Sequence, residues 1–485
     1  MVDMAKLISV ARREIPAELI LTNGNVVNVF NGEIESNNVA IYGGYIAGIG
    51  DYRSGKQVID LKGEYLVPGL INGHVHIESS MLDVGQYARA VVPRGTTSLI
   101  TDLHEIANVC GLEGIRYVLD CARRLPIDVF LMAPSCVPAT HLETSGAQLD
   151  SADIRRLLRL KQCIGLGEMM NFPGVIYGNK DVLEKIMSAG YKTIDGHAPS
   201  VSGHDLNAYL SAGIGSDHEA VTLMEAREKL SRGMYIMIRE GSSEKNLEAL
   251  LPLVTDKTYP RCFFVVDDRS CYDLLNDGDI DAVVRKAIRL GLEPVRAIQM
   301  ATINTARYFK LNRLGAIAPG YFANIIITPD LKTLPIEEVY YHGRLVSQGG
   351  LPLFNVYQTS RQVLTDTVNI KHFNKETLKL RKLSDTMPII EIVPGQIITR
   401  KRMEKVKIEG DFILPDVARD ILKAVVVERH HATGHIGLGL VSGFGLQLGA
   451  LASSVSHDSH NIVVVGTNDE DIYLAIREME KLQVD

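Results

Sequence analysis

The chain has no tryptophan, and only six of its 485 residues are cysteines. None of the cysteines forms a CxxC pair, which argues against a disulfide framework and against a thiolate zinc site. The N-terminus lacks an apolar signal-peptide segment followed by a cleavage site. An excess of basic residues is also missing, since the net charge is −7. We therefore expect a cytoplasmic protein that does not bind nucleic acid.

Long uncharged runs are also rare, and the one that raises a transmembrane question covers residues 436–456, "IGLGLVSGFGLQLGALASSVS". Glycines, serines and a glutamine interrupt this run, and neither side carries a basic flank. We expect a buried, glycine-rich segment at this position and no membrane contact.

The distribution of short apolar runs predicts three domains. Turn-separated strands at both ends of a long middle section predict one discontinuous β-sandwich domain, made of residues 1–66 and 306–350. Residues 67–305 alternate strand and helix patterns eight times, as in a (β/α)8 TIM-type barrel. A doubly wound α/β sheet also alternates, but no GxGxxG follows any of these strands. Residues 351–485 are expected to form a separate α+β domain.

Each apolar run of the middle section ends in polar residues, where a barrel of this type carries its chemistry. The first run, "LVPGLINGHVH", ends in His74 and His76, which point the same way because side chains alternate along a strand. The later runs end in Asp102, His104 and Glu105; Ser135; Glu168; Asp195 and His197; Asp217, His218 and Glu219; Arg239 and Glu240; Asp267 and Asp268.

Imidazoles and carboxylates in this pattern suit a borderline divalent metal such as Zn, Mn or Fe. Taken singly, each has an ordinary alternative: a histidine satisfies a carbonyl, Glu168 forms a salt bridge, Asp267 belongs to a turn. Taken together they predict two ions about 3.5–4 Å apart, bridged by Glu168 and a hydroxide. The predicted ligands are His74, His76, Glu168, His197, His218 and Asp267.

The order of these ligands resembles the motif of the amidohydrolase superfamily. Longer segments, among them "GHVHIESSML", "GLGEMMNFPGV" and "DGHAPSVSGHDLNAY", are similar to the adenine deaminase family, from about residue 18 to the end. The resemblance implies hydrolysis of adenine to hypoxanthine and ammonia at two divalent ions, usually Mn or Fe, with Zn also compatible with the ligand types. Glu168 stands where many relatives carry a carbamylated lysine.

An exocyclic amine is a poor leaving group, so the reaction needs a strong nucleophile and well-placed protons. We expect a metal-bridged hydroxide to attack C6, with Asp267 taking a proton and passing it on. Ring nitrogen N1 must also be protonated. The candidate acids are Glu219, Glu240, and His104 with Glu105; His104 could instead bind an extra metal with Asp102, or any of them could orient a ligand imidazole.

The base itself needs a small, partly apolar slot, and four residues are candidates to contact it: Glu105, Arg239, Ser135 and Met170. Ordinary alternatives stay open for three of them. Arg239 could pair with Glu240 or Asp268 at the rim, Ser135 could belong to a loop, and Met170 could pack with its neighbours. Near the C-terminus, His457 and His460 could close the site, add a ligand, or cap their own turn.

Two rival functions stay open. One is a cyclic amide hydrolase resembling hydantoinase or dihydroorotase, against which Glu168 argues, because those relatives typically use a bridging lysine. The other is a non-catalytic barrel relative acting as an assembly protein, against which the full set of six ligands argues. A homodimer is the expected assembly, because barrels of this size with added domains often pair.

Overall fold

The computed structural model describes residues 2–356, 364–396 and 398–483. The chain divides into two compact units. The first consists of Met1–Leu103, Val118–Ser135 and Asp150–Thr359, and the second of His104–Tyr117, Cys136–Leu149 and Ser360–Asp485. The boundaries of the three predicted domains stay a prediction. Among the described residues, no helix is both long enough and apolar enough to cross a membrane.

The strands along the first unit are β1 (Ala17–Asn28), β2 (Glu33–Tyr42), β3 (Tyr45–Gly50), β4 (Gly55–Asp60), β5 (Tyr65–Pro68), β6 (Leu70–Asn72), β7 (Val75–His76), β8 (Thr96–Thr101), β9 (Asp128–Ala133), β10 (Cys163–Met169), β11 (Thr193–Gly196), β12 (Ser216–Asp217), β13 (Tyr235–Arg239), β14 (Cys262–Val265), β15 (Asp267–Asp268), β16 (Ile325–Thr328), β17 (Glu338–Tyr341), β18 (Arg344–Gln348) and β19 (Leu351–Pro352). The helices up to residue 308 are α1 (Met4–Ala11), α2 (Val84–Val91), α3 (His104–Ala122), α4 (Ser151–Leu157), α5 (Phe172–Ile176), α6 (Lys180–Ser188), α7 (Gly203–Ser211), α8 (Leu223–Ser231), α9 (Leu247–Leu250), α10 (Cys271–Asn276), α11 (Ile280–Arg289), α12 (Pro294–Met300) and α13 (Ile303–Tyr308).

Strands from two distant parts of the sequence form one nine-stranded sheet. Its order is β19-β18-β17-β16-β5-β1-β2-β3, with β4 paired to β1. The two parts join where β16 pairs antiparallel with β5 and places Ile326 opposite Val67. Leu21, Val39 and Ile325 share one apolar core, so burial of their side chains holds the two parts together.

Eight parallel segments form the predicted barrel. The order β11-β10-β9-β8-β6 makes one parallel sheet, and β12-β13-β14 makes another. The backbone N–H of Gly215 donates to the carbonyl of Ile194 at 2.9 Å between the two sheets. At the other side, β15 pairs in parallel with β7 and places Asp267 opposite Val75. The eighth segment therefore lies beside the first, and the fold-class prediction of an α/β barrel is confirmed.

The carboxyl ends of these parallel segments meet at one edge, where a barrel of this type places its functional groups. Close packing there requires a glycine at position 167. A Cβ atom on Gly167 would lie 2.8 Å from the Cβ of Asp102, which is closer than real side chains approach. The glycine thus lets β10 deliver the next residue, Glu168, to the strand edge.

The second unit carries the strands β20 (Leu380–Arg381), β21 (Thr386–Ile392), β22 (Thr399–Lys405), β23 (Lys407–Glu409), β24 (Phe412–Leu414), β25 (Leu422–Val427), β26 (Ile436–Ser442), β27 (Ala450–Ser453) and β28 (Ile462–Gly466), and the helix α14 (Asp469–Leu482). Six strands form a sheet in the order β22-β21-β26-β25-β28-β27, and β20-β24-β23 form a smaller one. Ile472 and Ile476 of α14 share a core with Val425 and Val464 of the larger sheet.

The uncharged segment 436–456 is only partly buried, so the expectation of a buried segment is wrong for its middle. The end of β26 is buried, but Phe444 and Leu448 in the following connection are 41% and 81% exposed. The connection between β26 and β27 carries these side chains to the surface, which hydrophobicity alone does not reveal.

Candidate metal centre

The first barrel segment directs two imidazoles at one buried point. Nε2 of His76 lies 3.2 Å from Oε1 of Glu168 and 3.1 Å from Oδ1 of Asp267. Nε2 of His74 lies 3.5 Å and 3.3 Å from the same two oxygens. The other ring nitrogen of His76, Nδ1, lies 3.2 Å from Oδ1 of Asp102. Asp102 therefore lies beside the ring nitrogen that is not directed at the common point, where it can act as a carboxylate neighbour of this imidazole.

Glu168, near the end of β10, connects this pair of imidazoles to a second pair. Its Oε2 atom lies 2.6 Å from Nδ1 of His197 and 3.2 Å from Nε2 of His218. Its Oε1 atom lies near His74 and His76, so each of the two carboxylate oxygens contacts a different pair of imidazoles. This is the arrangement expected of a carboxylate that bridges two cations.

The donor atoms fit a pair of divalent ions. Separations of 3.1–3.5 Å within the first group match those of ligand atoms that share an ion about 2.1 Å away. Nε2 of His74 is buried and makes no hydrogen bond within the described residues, as expected of a nitrogen that ligates a cation. All six predicted ligands thus come together. The residue triads suited to an ion include His74, His76 and Asp267; His74, Glu168 and His218; His197, His218 and Glu219.

A buried arginine links the second group to Asp267. Arg239 is 1% exposed, and its Nη1 donates to Oδ2 of Asp267 at 2.7 Å. The same guanidinium donates to both oxygens of Glu219. Glu219 in turn places Oε1 3.4 Å from Nε2 of His218. The positively charged guanidinium of Arg239 thus orients two carboxylates at the site, those of Asp267 and Glu219.

Burial and pairing set the charge states of these groups. Burial lowers the pKa of His74, but the carboxylates of Asp267 and Glu168 outweigh burial and raise this pKa to about 10. Burial raises the pKa of Glu168, yet the imidazoles of His218 and His197 hold it well below its usual range. The pKa of Asp267 is likewise lowered, because His74 and its neighbours outweigh burial. The carboxylates of Glu168 and Asp267 stay ionised, and a proton on His74 takes the place that a cation would take.

Two further residues named from the sequence, Arg239 and Glu240, have partners that the sequence did not indicate. Arg239 points inward to Glu219 and Asp267, so the alternative of a rim salt bridge to Glu240 or Asp268 is wrong. Glu240 instead pairs with Lys286 and accepts from the backbone N–H of Leu247.

Ser135 donates its hydroxyl to the backbone carbonyl of Glu168 at 2.5 Å, which fixes the end of the strand that carries the Glu168 carboxylate. Met170 follows β10 and is half-buried. The predicted contacts of Ser135 and Met170 with a substrate stay a prediction.

Sequence reasoning missed Glu244, which lies in the loop after β13. Burial, together with the charges on Asp267 and Asp268, raises the pKa of Glu244 to about 7. Its Oε2 atom is buried without a hydrogen-bond partner among the described residues. A carboxyl group that still holds a proton near neutral pH is a candidate acid. The only sequence signal was a glutamate four residues after Glu240, which no strand pattern distinguishes from an ordinary loop residue.

The remaining predicted residues, His104 and Glu105, belong to the second unit. Nε2 of His104 lies 3.0 Å from Oε1 of Glu105 and 3.4 Å from Oδ1 of Asp458. Glu105 also contacts His457 and His460. These residues form a cluster within their own unit.

Comparison with known proteins agrees with this arrangement. The sequence model of the amidohydrolase family matches residues 65–365, and that of the adenine deaminase C-terminal domain matches residues 396–483. The chain is 62% identical over 480 residues to an adenine deaminase of Dehalococcoides mccartyi, covering 99% of this chain and 84% of that protein. It is 47% identical to adenine deaminase 2 of Carboxydothermus hydrogenoformans, with 98% and 83% covered.

Among solved structures, the beta-aspartyl dipeptidase of Fervidobacterium islandicum superposes with a TM-score of 0.52 at 16% identity, covering 70% of this chain and 98% of that one. That likeness concerns the fold. Amidohydrolases are metal-dependent, in keeping with the clusters of ligand atoms described above. The chain belongs to the amidohydrolase family and, within it, to the adenine deaminases.

Proposed function

We propose that the protein hydrolyses adenine to hypoxanthine and ammonia. The observation that carries this proposal is the position of Glu168, whose two carboxylate oxygens face two separate pairs of imidazoles. The membership of the adenine deaminases supplies the substrate. Adenine and water are the proposed reactants.

Six side chains would hold two divalent ions, for which we propose Mn or Fe, with Zn compatible with the same donors. His74, His76 and Asp267 would form one half-site, His197 and His218 the other, and Glu168 would belong to both. When bound, such a pair acts as a Lewis acid that makes water a nucleophile at neutral pH.

Asp267 is the proposed carrier of the proton that water loses. Its Oδ1 atom lies within 3.3 Å of both His74 and His76, at the centre of the first half-site, while Arg239 holds Oδ2. As the water oxygen bonds to C6, Asp267 takes a proton, and it then gives that proton to the exocyclic nitrogen. The C6–N bond breaks, and the nitrogen leaves as ammonia.

A second group must protonate N1 while water adds to C6, and it regains a proton from the C6 hydroxyl as the carbonyl forms. Glu244 is the proposed donor, because burial and neighbouring charges raise its pKa to about 7. Glu219, a candidate from the sequence, is buried beside His218 but is less suitable, since Arg239 donates to both of its oxygens. Glu240 is less suitable for the same reason, because both of its oxygens are engaged by other groups.

The proposed contacts to the base come from the end of β10 and from Arg239. Met170 and its neighbours would form an apolar wall, whereas Arg239 would act mainly by orienting Asp267 and Glu219. We also propose a homodimer in the cytoplasm, on the sequence arguments given above.

The direct test is steady-state release of ammonia from adenine by the Mn-loaded protein, with Glu168→Gln as the key variant. We expect turnover by the wild type, and at least about a hundredfold loss in the variant, because the bridging oxygen is removed. Asp268→Asn is a neighbouring control with the same chemical change outside the six ligands. If adenine is inert while hydantoin is opened, the proposal is wrong and the cyclic amide hydrolase replaces it. Failure of every substrate, with no metal retained after reconstitution, would favour the assembly protein.

A further inference from the structure

A second cluster of imidazoles and carboxylates lies in the second unit and shares no residue with the six predicted ligands. Its centre is Glu105, which is 1% exposed. Oε1 of Glu105 lies 3.0 Å from Nε2 of His104 and 2.5 Å from Nδ1 of His457. Oε2 of Glu105 contacts Nε2 of His460. Oδ1 of Asp458 lies 3.4 Å from Nε2 of His104.

His460 acts on this cluster as a hydrogen-bond donor. Its Nδ1 atom accepts the backbone N–H of Ser456 at 3.2 Å, so the proton of the neutral ring resides on Nε2. That proton is donated to Oε2 of Glu105. His460 is therefore a positioning residue that holds the carboxylate and leaves Oε1 directed at His104, as partners of ligand carboxylates do in metal sites.

The other atoms have the spacing of shared ligands. His104, Glu105 and Asp458 each offer one atom, and the three atoms lie within 4.8 Å of one another. The separations of 3.0 Å and 3.4 Å from Nε2 of His104 match tetrahedral or octahedral edges around an ion about 2.1 Å away. His457 is too close to Oε1 of Glu105 to share such an ion in the same position, so it counts as a hydrogen-bond partner.

Glu143 is a third carboxyl group nearby, and its Oε2 atom is buried without a hydrogen-bond partner in the described part of the chain. Burial and the charges on Asp458 and Glu105 raise the pKa of Glu143 to about 7. A bound divalent cation would offset this repulsion.

The loop that supplies Asp458 is held in place by buried groups. Arg429 is 1% exposed, and its Nε donates to the carbonyl of His460 at 2.5 Å. Nε2 of His430 contacts the carbonyl of Ser459 at 2.8 Å. The side chain of Asn461 donates to the carbonyl of Thr144 at 3.0 Å. The loop is thus fixed from several directions before any ligand binds, which favours tight coordination.

We infer that Nε2 of His104, Oε1 of Glu105 and Oδ1 of Asp458 form an additional site for one divalent cation of the Mn, Fe or Zn type, with solvent completing its coordination. The ion ties the start of α3 to the loop between β27 and β28 within the second unit. This assignment gives His104 and Glu105 a metal-binding role in place of the acid and base-contacting roles considered from the sequence. It does not depend on the proposed deamination.

The test is the number of Mn²⁺ ions bound by the full chain after treatment with a chelator, measured by titration against the electron paramagnetic resonance signal of free Mn²⁺. We expect three ions on the wild type and two on Asp458→Asn or His104→Gln. Asp411→Asn, a surface carboxylate of the same unit, is the matched control and should keep three. His460→Gln should keep the site but weaken its affinity about 10–100-fold, as loss of a positioning partner does.

A variant of the first centre separates this proposal from the proposed function. Glu168→Gln should lose ions of the pair while the ion lost in Asp458→Asn stays bound, whatever the protein does with adenine. Anomalous scattering from crystals of the Mn-loaded wild type should give a peak within bonding distance of Nε2 of His104, and this measurement needs no variant to fold. Absence of that peak at saturation, or an ion count that Asp458→Asn leaves unchanged, would overturn the inference.

Discussion

Replacement of Arg239 by methionine gives the sharpest test of the electrostatics of the first centre. The guanidinium is 1% exposed and serves two carboxylates, with Nη1 at 2.7 Å from Oδ2 of Asp267. Methionine fills a similar volume but leaves Asp267 and Glu219 buried without their cation. Removing one member of a buried ion pair costs about 3–5 kcal/mol, because the remaining charge has lost its partner and is still kept from water.

The expected shift in melting temperature follows from the size of the first unit. Unfolding entropy is about 2.1 cal/mol/K per residue, or about 0.7 kcal/mol/K for roughly 330 residues. The loss should therefore lower the Tm of the metal-free protein by about 4–7 °C, measured by scanning calorimetry. Adding Glu219→Gln to the Arg239→Met variant should restore part of the lost Tm, because one of the two unpaired carboxylate charges is then removed.

Arg53→Met is the matched control, since Nε of Arg53 also lies 2.7 Å from a carboxylate oxygen, that of Asp51. The side chains of that pair are 83% and 59% exposed, so its loss should cost at most about 1 kcal/mol and under about 2 °C. If Arg239→Met and Arg53→Met lower the Tm equally, or if Glu219→Gln deepens the loss, the argument from burial is wrong.

Three further predictions concern metal affinity, stability and the acid. Asp102→Asn should weaken Mn²⁺ binding about 10–100-fold in calorimetric titration, because Nδ1 of His76 loses its carboxylate partner; unchanged affinity would contradict that role. Burial raises the pKa of Asp195 from 3.8 to about 7, so the native state binds this proton more tightly than the unfolded chain. The stabilisation that this bound proton gives is complete below pH 3.8 and is lost as the pH rises to about 7. The free energy of unfolding should fall in that window by at most about 1.4 kcal/mol per pH unit. Urea unfolding of Asp195→Asn should therefore show a flatter pH dependence in that window, and an unaltered slope would refute the reasoning. If Glu244 protonates the ring, kcat should fall above a pH of about 7 as its carboxyl ionises, and Glu244→Gln should lower kcat about 10²–10⁴-fold and abolish that limb.

The barrel, and the convergence of the six candidate ligands at one edge of it, could be predicted because both follow from local rules. Each ligand comes at the end of an apolar run, and parallel strands bring their carboxyl ends to one edge. His74 and His76 share a direction through strand alternation alone. The alternation of strands and helices predicted the order of the strands, and the pairing of β15 with β7 agrees with it.

The rest depends on contacts that local sequence does not encode. Arg239 pairs with Glu219 and Asp267, which are 20 and 28 positions away in sequence, and the sequence offers rim partners for it that are equally suitable. Glu244 lies in a loop, where no periodicity fixes the direction of a side chain. The exposed connection after β26 shows the same limit, because apolar residues in a turn resemble apolar residues in a core.

The electrostatics of the first centre favour the binding of cations. Its buried carboxylates are Asp102, Glu168, Glu219 and Asp267. Arg239 neutralises one of these four charges, so neutral imidazoles would leave a net charge of about −3 in a medium that screens charge poorly. The protein without metal relieves part of this by holding a proton on His74, whose pKa rises to about 10. The proposed pair of divalent ions would relieve it better, because the ions would replace protons and bring four positive charges. The same side chains that make the ion-free site costly therefore favour the binding of cations.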